Sequence, residues 1–186
     1  ATVDALANGV GRAALFDSPV TAEVTLPAIA NLTWVANIGS PWELMADLQW
    51  TEWSTIRNLR FVRTNGTVLQ DTPENFRDSV KVAVGAAYRP GGPWLLRGGL
   101  AWDQTPVRDA YRTPRLPDAD RLWLTFGGQY ALDKTLRLDW GLAYIHSRTS
   151  DIDKSGDPPS VSAYGRLDGS YKSATVVVSA QVGYSF

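Results

Sequence analysis

Apolar residues recur at every second position along most of the chain, the signature of strands with two chemically different faces. In Val80 to Tyr88 one face carries Val80, Val82, Val84, Ala86 and Tyr88, and the other Lys81, Ala83, Gly85 and Ala87. Trp94 to Trp102 repeats the rule, with Trp94, Leu96, Gly98, Leu100 and Trp102 against Leu95, Arg97, Gly99 and Ala101. The same alternation runs through Ala28 to Ile38, Trp42 to Trp50, Leu122 to Leu132, Leu136 to Ile145 and Ser173 to Phe186. Seven strands are therefore predicted, and helix periodicity hardly occurs.

Each segment has roughly 10 residues or more, enough to cross a hydrocarbon layer at the tilt of a barrel strand, whereas soluble strands average about half that. The connections alternate in length. Those at 39–41, 89–93 and 133–134 are tight; those from Arg63 to Arg77, Thr105 to Asp120 and Thr149 to Gly169 are long. Short turns at one end and long loops at the other describe a transmembrane antiparallel β-barrel of the bacterial outer membrane, its short turns periplasmic. Trp42, Tyr88, Trp94, Tyr130, Tyr184 and Phe186 cluster near the short turns, where an aromatic girdle belongs. The competing reading is a soluble barrel or sandwich with the apolar face inward, such as a lipocalin. The polar face, rich in Gly, Ala and Ser with single charges, suits a lumen better than an open surface.

Composition narrows the function classes. The chain has 186 residues, 44% hydrophobic and 20% charged, so a folded unit is expected. Its 18 basic and 19 acidic residues give a formal net charge of -1, leaving no basic field for nucleic acid. Cysteine is absent and histidine occurs once, which removes disulfides, thiolate catalysis and nearly all zinc patterns; neither metal nor cofactor is expected. No apolar run of roughly 18 residues exists to form a membrane helix. The N-terminal stretch ATVDALANGVGR lacks the order of a signal peptide, so a leader has been removed or the chain starts within a longer protein.

Topology points the same way. With the last strand descending to a periplasmic end, residues 1–27 begin in an extracellular loop and residues 28–186 supply seven barrel strands. A complete single-chain bacterial barrel has an even strand number, and bare strand edges in lipid are prohibitively costly. The expectation is a C-terminal half of a larger barrel, closed by missing N-terminal strands, or a chain that pairs with another to close one.

The stretch LPDADRLWLTFGGQYAL (116–132), preceded by LAWDQTPVRDAYRTPR (100–115), resembles the long-chain fatty-acid transporter family of the outer membrane, the FadL type. So do LPAIANLTWV (26–35), LQWTEWSTIRNL (48–59) and FRDSVKVAVGAAYRPGGPWLLRGGLAWD (76–103). The terminal Val182-x-Tyr184-x-Phe186 is similar to the signal by which outer-membrane barrels engage the assembly machinery. The resemblance implies a fourteen-stranded barrel plugged by an N-terminal hatch, with seven strands here, set among outer-membrane lipid. It implies passive uptake of long-chain fatty acids or other hydrophobic molecules, including neutral and aromatic hydrocarbons. A dry apolar path recovers about 0.8 kcal/mol per buried methylene, provided binding stays weak enough to release.

Candidate ligand residues follow from extending the second strand from Trp42 to Phe61, its upper part above the bilayer. Trp53, Leu59 and Phe61 then give an apolar lining to the lumen, with Arg57 on the same face. Arg57, Arg63 and Arg77, near the outer loops, are candidate carboxylate partners. The resemblance implies a loop lysine for the ligand head group, yet VLQDTPENFRD (68–78) contains none. That departure leaves room for neutral hydrocarbons. Asp118, Asp120 and Arg121 are expected to clasp a loop to the rim, and DIDKSGDPP (151–159), lacking the rest of a calcium loop, is expected to be a solvated turn.

Two other classes compete. An outer-membrane lipid hydrolase has only His146 and Ser147 as raw material, and strand neighbours point to opposite faces. No Gly-x-Ser-x-Gly supports a triad, so no enzyme is expected. A nonspecific porin predicts ion conductance in planar bilayers, whereas a plugged channel predicts almost none.

Overall fold

A computed structural model describes residues 19–153, 165 and 167–186. Its strands are β1 Val20–Thr21, β2 Ile29–Asn37, β3 Trp42–Thr51, β4 Asn58–Arg63, β5 Val68–Pro73, β6 Ser79–Tyr88, β7 Trp94–Asp103, β8 Arg121–Ala131, β9 Leu136–Ile152 and β10 Gly169–Tyr184. The seven predicted strands form one antiparallel sheet in the order β10-β9-β8-β7-β6-β3-β2. Strands β2 and β10 are not paired with each other, so the sheet is open. No helix among the described residues is long and apolar enough to cross a membrane.

The alternation assigns the faces. On β8, Leu122, Leu124 and Phe126 are exposed while Trp123, Thr125 and Gly127 between them are partly sheltered. Leu100 on β7 and Leu142 and Tyr144 on β9 extend the exposed apolar band, and the neighbouring edge strand β10 adds Val176 and Val178. Among the described residues no second layer covers the middle of either face of these central strands, so the asymmetry requires the sheet to curl around its polar side. A soluble barrel hides its large side chains inside. Here the buried apolar residues are Ala87, Val107, Ala119 and Ile152, and no large side chain is fully buried among the described residues. The apolar band is the outside, and only hydrocarbon makes that arrangement favourable.

Aromatic pairs close the band at the short-turn end. Trp42 lies 4.4 Å from Tyr88, Trp94 lies 4.6 Å from Tyr130, and Tyr184 meets Phe186 edge-on at 5.3 Å. Trp50 and Trp102 mark the opposite end, eight residues beyond Trp42 and Trp94 on their strands. Eight residues span about 26 Å of strand, or about 20 Å along the membrane normal at a tilt of about 40°.

One expectation fails. The strand from Trp42 does not continue to Phe61: it ends at Thr51, and a 3-10 turn at Trp53–Thr55 redirects the chain. The Ser54 N–H donates to Asp78 Oδ1 at 3.0 Å, and Glu52 N–H donates to Ala28 O at 2.9 Å. These bonds satisfy the backbone locally and divert it from the β6 ladder. The chain then enters a separate three-stranded sheet, β1-β4-β5, so the region from Arg63 to Arg77 contains a strand rather than only loop. The hairpin turns at Asn65-Gly66, where Gly66 takes φ +83° and Asn65 Oδ1 accepts from Thr67 N–H at 3.0 Å. Residues 1–18 and most of the 151–159 turn lie outside the described residues.

Candidate functional site

Register stacks the sheltered face into rungs crossing all seven strands. The outermost reads Asn31, Gln49, Lys81, Asp103, Arg121, Ser147 and Ser173. Beneath it come Thr33, Asp47, Ala83, Ala101, Trp123, Ile145 and Thr175, and then Val35, Met45, Gly85, Gly99, Thr125, Ala143 and Val177. A polar mouth therefore opens onto a mostly apolar or small-residue wall.

Loop 105–120 is fixed over that mouth. Thr105 N–H donates to Asp120 Oδ1 at 2.9 Å, and the Thr105 hydroxyl donates to Asp118 Oδ2 at 2.6 Å. Arg121 Nη2 lies 3.4 Å from Asp103 Oδ2 and 3.5 Å from Asp118 Oδ1. The expected clasp of Asp118, Asp120 and Arg121 thus has this geometry, with a centre that sequence reasoning missed. Arg112, 3% exposed, donates through Nε to Asp118 O at 2.9 Å and through Nη1 to Asp151 O at 2.6 Å, and it pairs with Asp109. A charge this deep is tolerable because carbonyls and a carboxylate surround its planar fork. The loop is thereby tied to β9.

Under the clasp lies a cavity of about 450 Å³. Ile29, Trp53, Phe76, Pro106, Val107 and Leu116 give it an apolar wall, while Gln49, Lys81, Asp103, Asp118 and Arg121 give it a polar floor. Trp53 and Phe76 meet edge-to-face with centroids 6.2 Å apart. The Lys81 ammonium sits 5.3 Å from the centre of the Trp123 ring. Asp103, its partner in the ladder, is engaged with Arg121, and Lys81 has no ion pair among the described residues. The lining's cations, Lys81 and Arg121, and its carboxylates, Asp103 and Asp118, balance, and an apolar wall beside a lysine with no ion pair of its own among the described residues can hold an amphipathic anion: tail against Trp53 and Phe76, head at Lys81.

Of the six residues expected to meet ligand, Trp53 lines this cavity. Leu59 and Phe61 stand on β4, opposite Thr72 and Gln70 of β5. Arg57 is exposed, and its carbonyl accepts from Glu74 and Asn75 at 2.8 Å. Arg63 is buried at the end of β4, opposite Val20. Arg77 Nε donates to Thr105 O at 3.1 Å and Nη2 lies 3.9 Å from Asp120, so it serves the clasp. Lys81, Phe76 and the residues of loop 105–120 were missed. For Lys81 the signal was present, as the one cation on the polar face of β6. Beside the cavity, Asp78 is held below the usual carboxylate range by the Ser54 hydroxyl and then the Ser54 N–H. His146 faces outward opposite Leu122 and Ala174, while Ser147 joins the mouth rung, so the two occupy opposite faces.

Residues 3–186 match the family described as outer membrane protein transport protein (OMPP1/FadL/TodX). The chain is 30% identical over 131 residues to the long-chain fatty acid transport protein of Escherichia coli K12, covering 70% of this chain and 29% of that protein. It is 28% identical over 151 residues to the 47 kDa outer membrane protein of Pasteurella multocida, covering 81% of this chain and 35% of the relative. Among solved structures, a FadL homologue from Pseudomonas aeruginosa superposes with a TM-score of 0.78 at 30% identity, over 89% of this chain and 37% of that one. The toluene transporter TodX of Pseudomonas putida shares the fold, with a TM-score of 0.58 at 20% identity over 89% of this chain and 36% of its own. This chain thus spans under two fifths of the length of each of these proteins. By this match the chain belongs to the OMPP1/FadL/TodX family of Gram-negative outer-membrane transport proteins.

Proposed function

We propose that this chain is the C-terminal part of an outer-membrane channel for passive uptake of long-chain fatty acids or similar hydrophobic molecules. The observation that carries the reading is the cavity under the clasp, where an apolar wall faces Lys81, which rests on the Trp123 ring and has no ion pair among the described residues. The name of the Escherichia coli relative supports the substrate class. In this reading residues 28–186 give seven of fourteen strands, residues 1–27 start outside the cell, and strands preceding this chain complete the barrel and its hatch. The last strand addresses the assembly machinery, and the lipid band contacts the outer membrane. Arg57, Leu59 and Phe61 belong to the ligand's approach over the outer sheet, Trp53 to the cavity and Arg77 to the rim that holds it, while the buried Arg63 serves the end of β4.

A second reading, uptake of neutral or aromatic hydrocarbons, is favoured by the edge-to-face Trp53–Phe76 wall. The Pseudomonas putida protein that shares this fold is named for toluene, a cargo of that kind. Replacing Lys81 separates the two. In the full-length protein, Lys81→Gln is expected to weaken oleate binding by about tenfold or more, the value of a charge-assisted bond, and to leave oleyl alcohol binding unchanged. Equal oleate affinity in equilibrium binding would favour the hydrocarbon reading. A non-enzymatic role predicts that any lipid hydrolysis by the preparation persists in His146→Ala.

A further inference from the structure

Among the described residues, the outward face of the seven long strands carries no Asp, Glu, Lys or Arg from the short-turn girdle up to the rung of Trp102, Leu122, His146 and Ala174. One rung further out the character changes. Arg148 N–H donates to Asp120 O at 2.8 Å, which continues the β8–β9 ladder and sets both residues on the face of Leu122 and His146. Lys172 of β10 stands beside Arg148 at the bulge, two positions from the outward Ala174. Charge therefore begins where the apolar band ends, at the depth of lipid head groups.

Arg148 and Asp120 border a cavity of about 280 Å³ beside loop 105–120. Four arginines line it, Arg77, Arg108, Arg112 and Arg148, against three carboxylates, Asp109, Asp120 and Asp151. Arg112 holds Asp109, and Arg77 lies 3.9 Å from Asp120. Arg108 and Arg148 have no ion pair among the described residues, and with Lys172 alongside, five cations meet three carboxylates. Thr105, Val107, Arg112 and Ala119 in the lining are all buried, so the cations stand in a walled site fixed by the clasp.

Below the cavity the same face is apolar and hollow. Gly98 offers no side chain between Ala86 and Phe126, and Leu100, Leu124, Leu142 and Tyr144 border the depression. Asp120 and Phe126 are six residues apart, about 20 Å of strand and about 15 Å of depth at a tilt of about 40°. That depth is one leaflet of a hydrocarbon core about 30 Å thick.

We infer that the arginine cavity seats the head-group phosphate of a lipid in the outer leaflet, with an acyl chain of that lipid lying down the hollow at Gly98. Guanidinium forks match phosphate oxygens, and Arg108 and Arg148 can turn to them without giving up an ion pair. Arg77 and Arg112 hold the wall. The inference takes the long loops as the outer side, as in the reading above, and is independent of the cargo.

The test uses full-length protein in detergent, with bisphosphorylated lipid A, its dephosphorylated form and inorganic phosphate as probes, and bound lipid read by native mass spectrometry. The double variant Arg108→Gln/Arg148→Gln is expected to bind bisphosphorylated lipid A about tenfold more weakly. Arg115→Gln removes an exposed arginine of the same loop outside the cavity and should stay within about twofold of the parent. The dephosphorylated lipid binds parent and double variant alike, and inorganic phosphate at matched ionic strength does not displace lipid A. Equal lipid A affinity in parent and double variant overturns the inference. An equal loss in Arg115→Gln also overturns it, as general charge attraction, and so does displacement by inorganic phosphate, which makes the cavity a free-anion site. Orientation has its own readout, the labelling of Arg115→Cys by an impermeant maleimide on intact cells. Absence of label removes the outward placement and the lipid seat with it; labelling together with an unaffected double variant removes the seat alone.

Discussion

Arg112 shows how much one residue outside any motif decides. It is 3% exposed, and its guanidinium joins Asp109, the carbonyl of Asp118 and the carbonyl of Asp151. Arg112→Met keeps the aliphatic stem and strips the donors from buried acceptors, a loss of about 2–4 kcal/mol of local stability. The expected outcome is new proteolytic cleavage within 105–120 while the sheet resists. An uncleaved loop would show that the acceptors find other donors. The sequence announced the carboxylates of this clasp, since Asp118, Asp120 and Arg121 adjoin the start of a strand. It was silent on Arg112, because a loop arginine is normally solvated and only the folded path brings Asp151 O beside it. Lys81 was legible by parity alone, but its lack of a carboxylate partner was not: that depends on Arg121 capturing Asp103.

At the scale of elements, the long strands were plain and the outer hairpin was not. Extending the alternation past Thr51 treated Glu52 to Phe61 as more of the same strand. The Ser54 to Asp78 hydrogen bond and the Asn65-Gly66 turn instead make room for a separate sheet. The Asn-Gly pair was a hairpin signal in the sequence, hidden by the weak alternation around it. At the other end, the tight turn between β8 and β9 rests on Asp133. Its Oδ1 accepts from Thr135 N–H at 2.7 Å, the Thr135 hydroxyl at 2.8 Å and Leu136 N–H at 2.8 Å. The Thr135 N–H, then its hydroxyl, then the Leu136 N–H hold the carboxyl below the usual carboxylate range. The folded value is depressed, so the contribution is fully present above the unfolded value of about 3.9 and is lost as pH falls through the folded one. Hydrogen exchange at Thr135 and Leu136 should accelerate in Asp133→Ala at pH 7, and in the parent only in strong acid. Unchanged protection in Asp133→Ala would place the turn's stability in the ladder instead.

For the whole molecule, the decisive property is which face meets lipid, and adjacent residues test it. Leu142 lies in the exposed band, with Phe126 and Val178 as ladder partners, and Ala143 points to the opposite side with Thr125 and Val177. Leu142→Arg in the full-length protein is expected to cost about 2–4 kcal/mol of unfolding free energy in bilayers. Ala143→Arg should cost about 1 kcal/mol or less, because a lumenal guanidinium keeps its water. Equal penalties would refute the assignment of faces. What the sequence by itself determined was the seven strands of the large sheet, their two faces and the polarity of their ends, since period-2 alternation and turn length are local properties of the chain. Tertiary structure alone decided the clasp, the outer sheet and the surroundings of Lys81. Each depends on which distant carbonyl or carboxylate arrives beside a given side chain, and one-dimensional spacing does not encode that proximity.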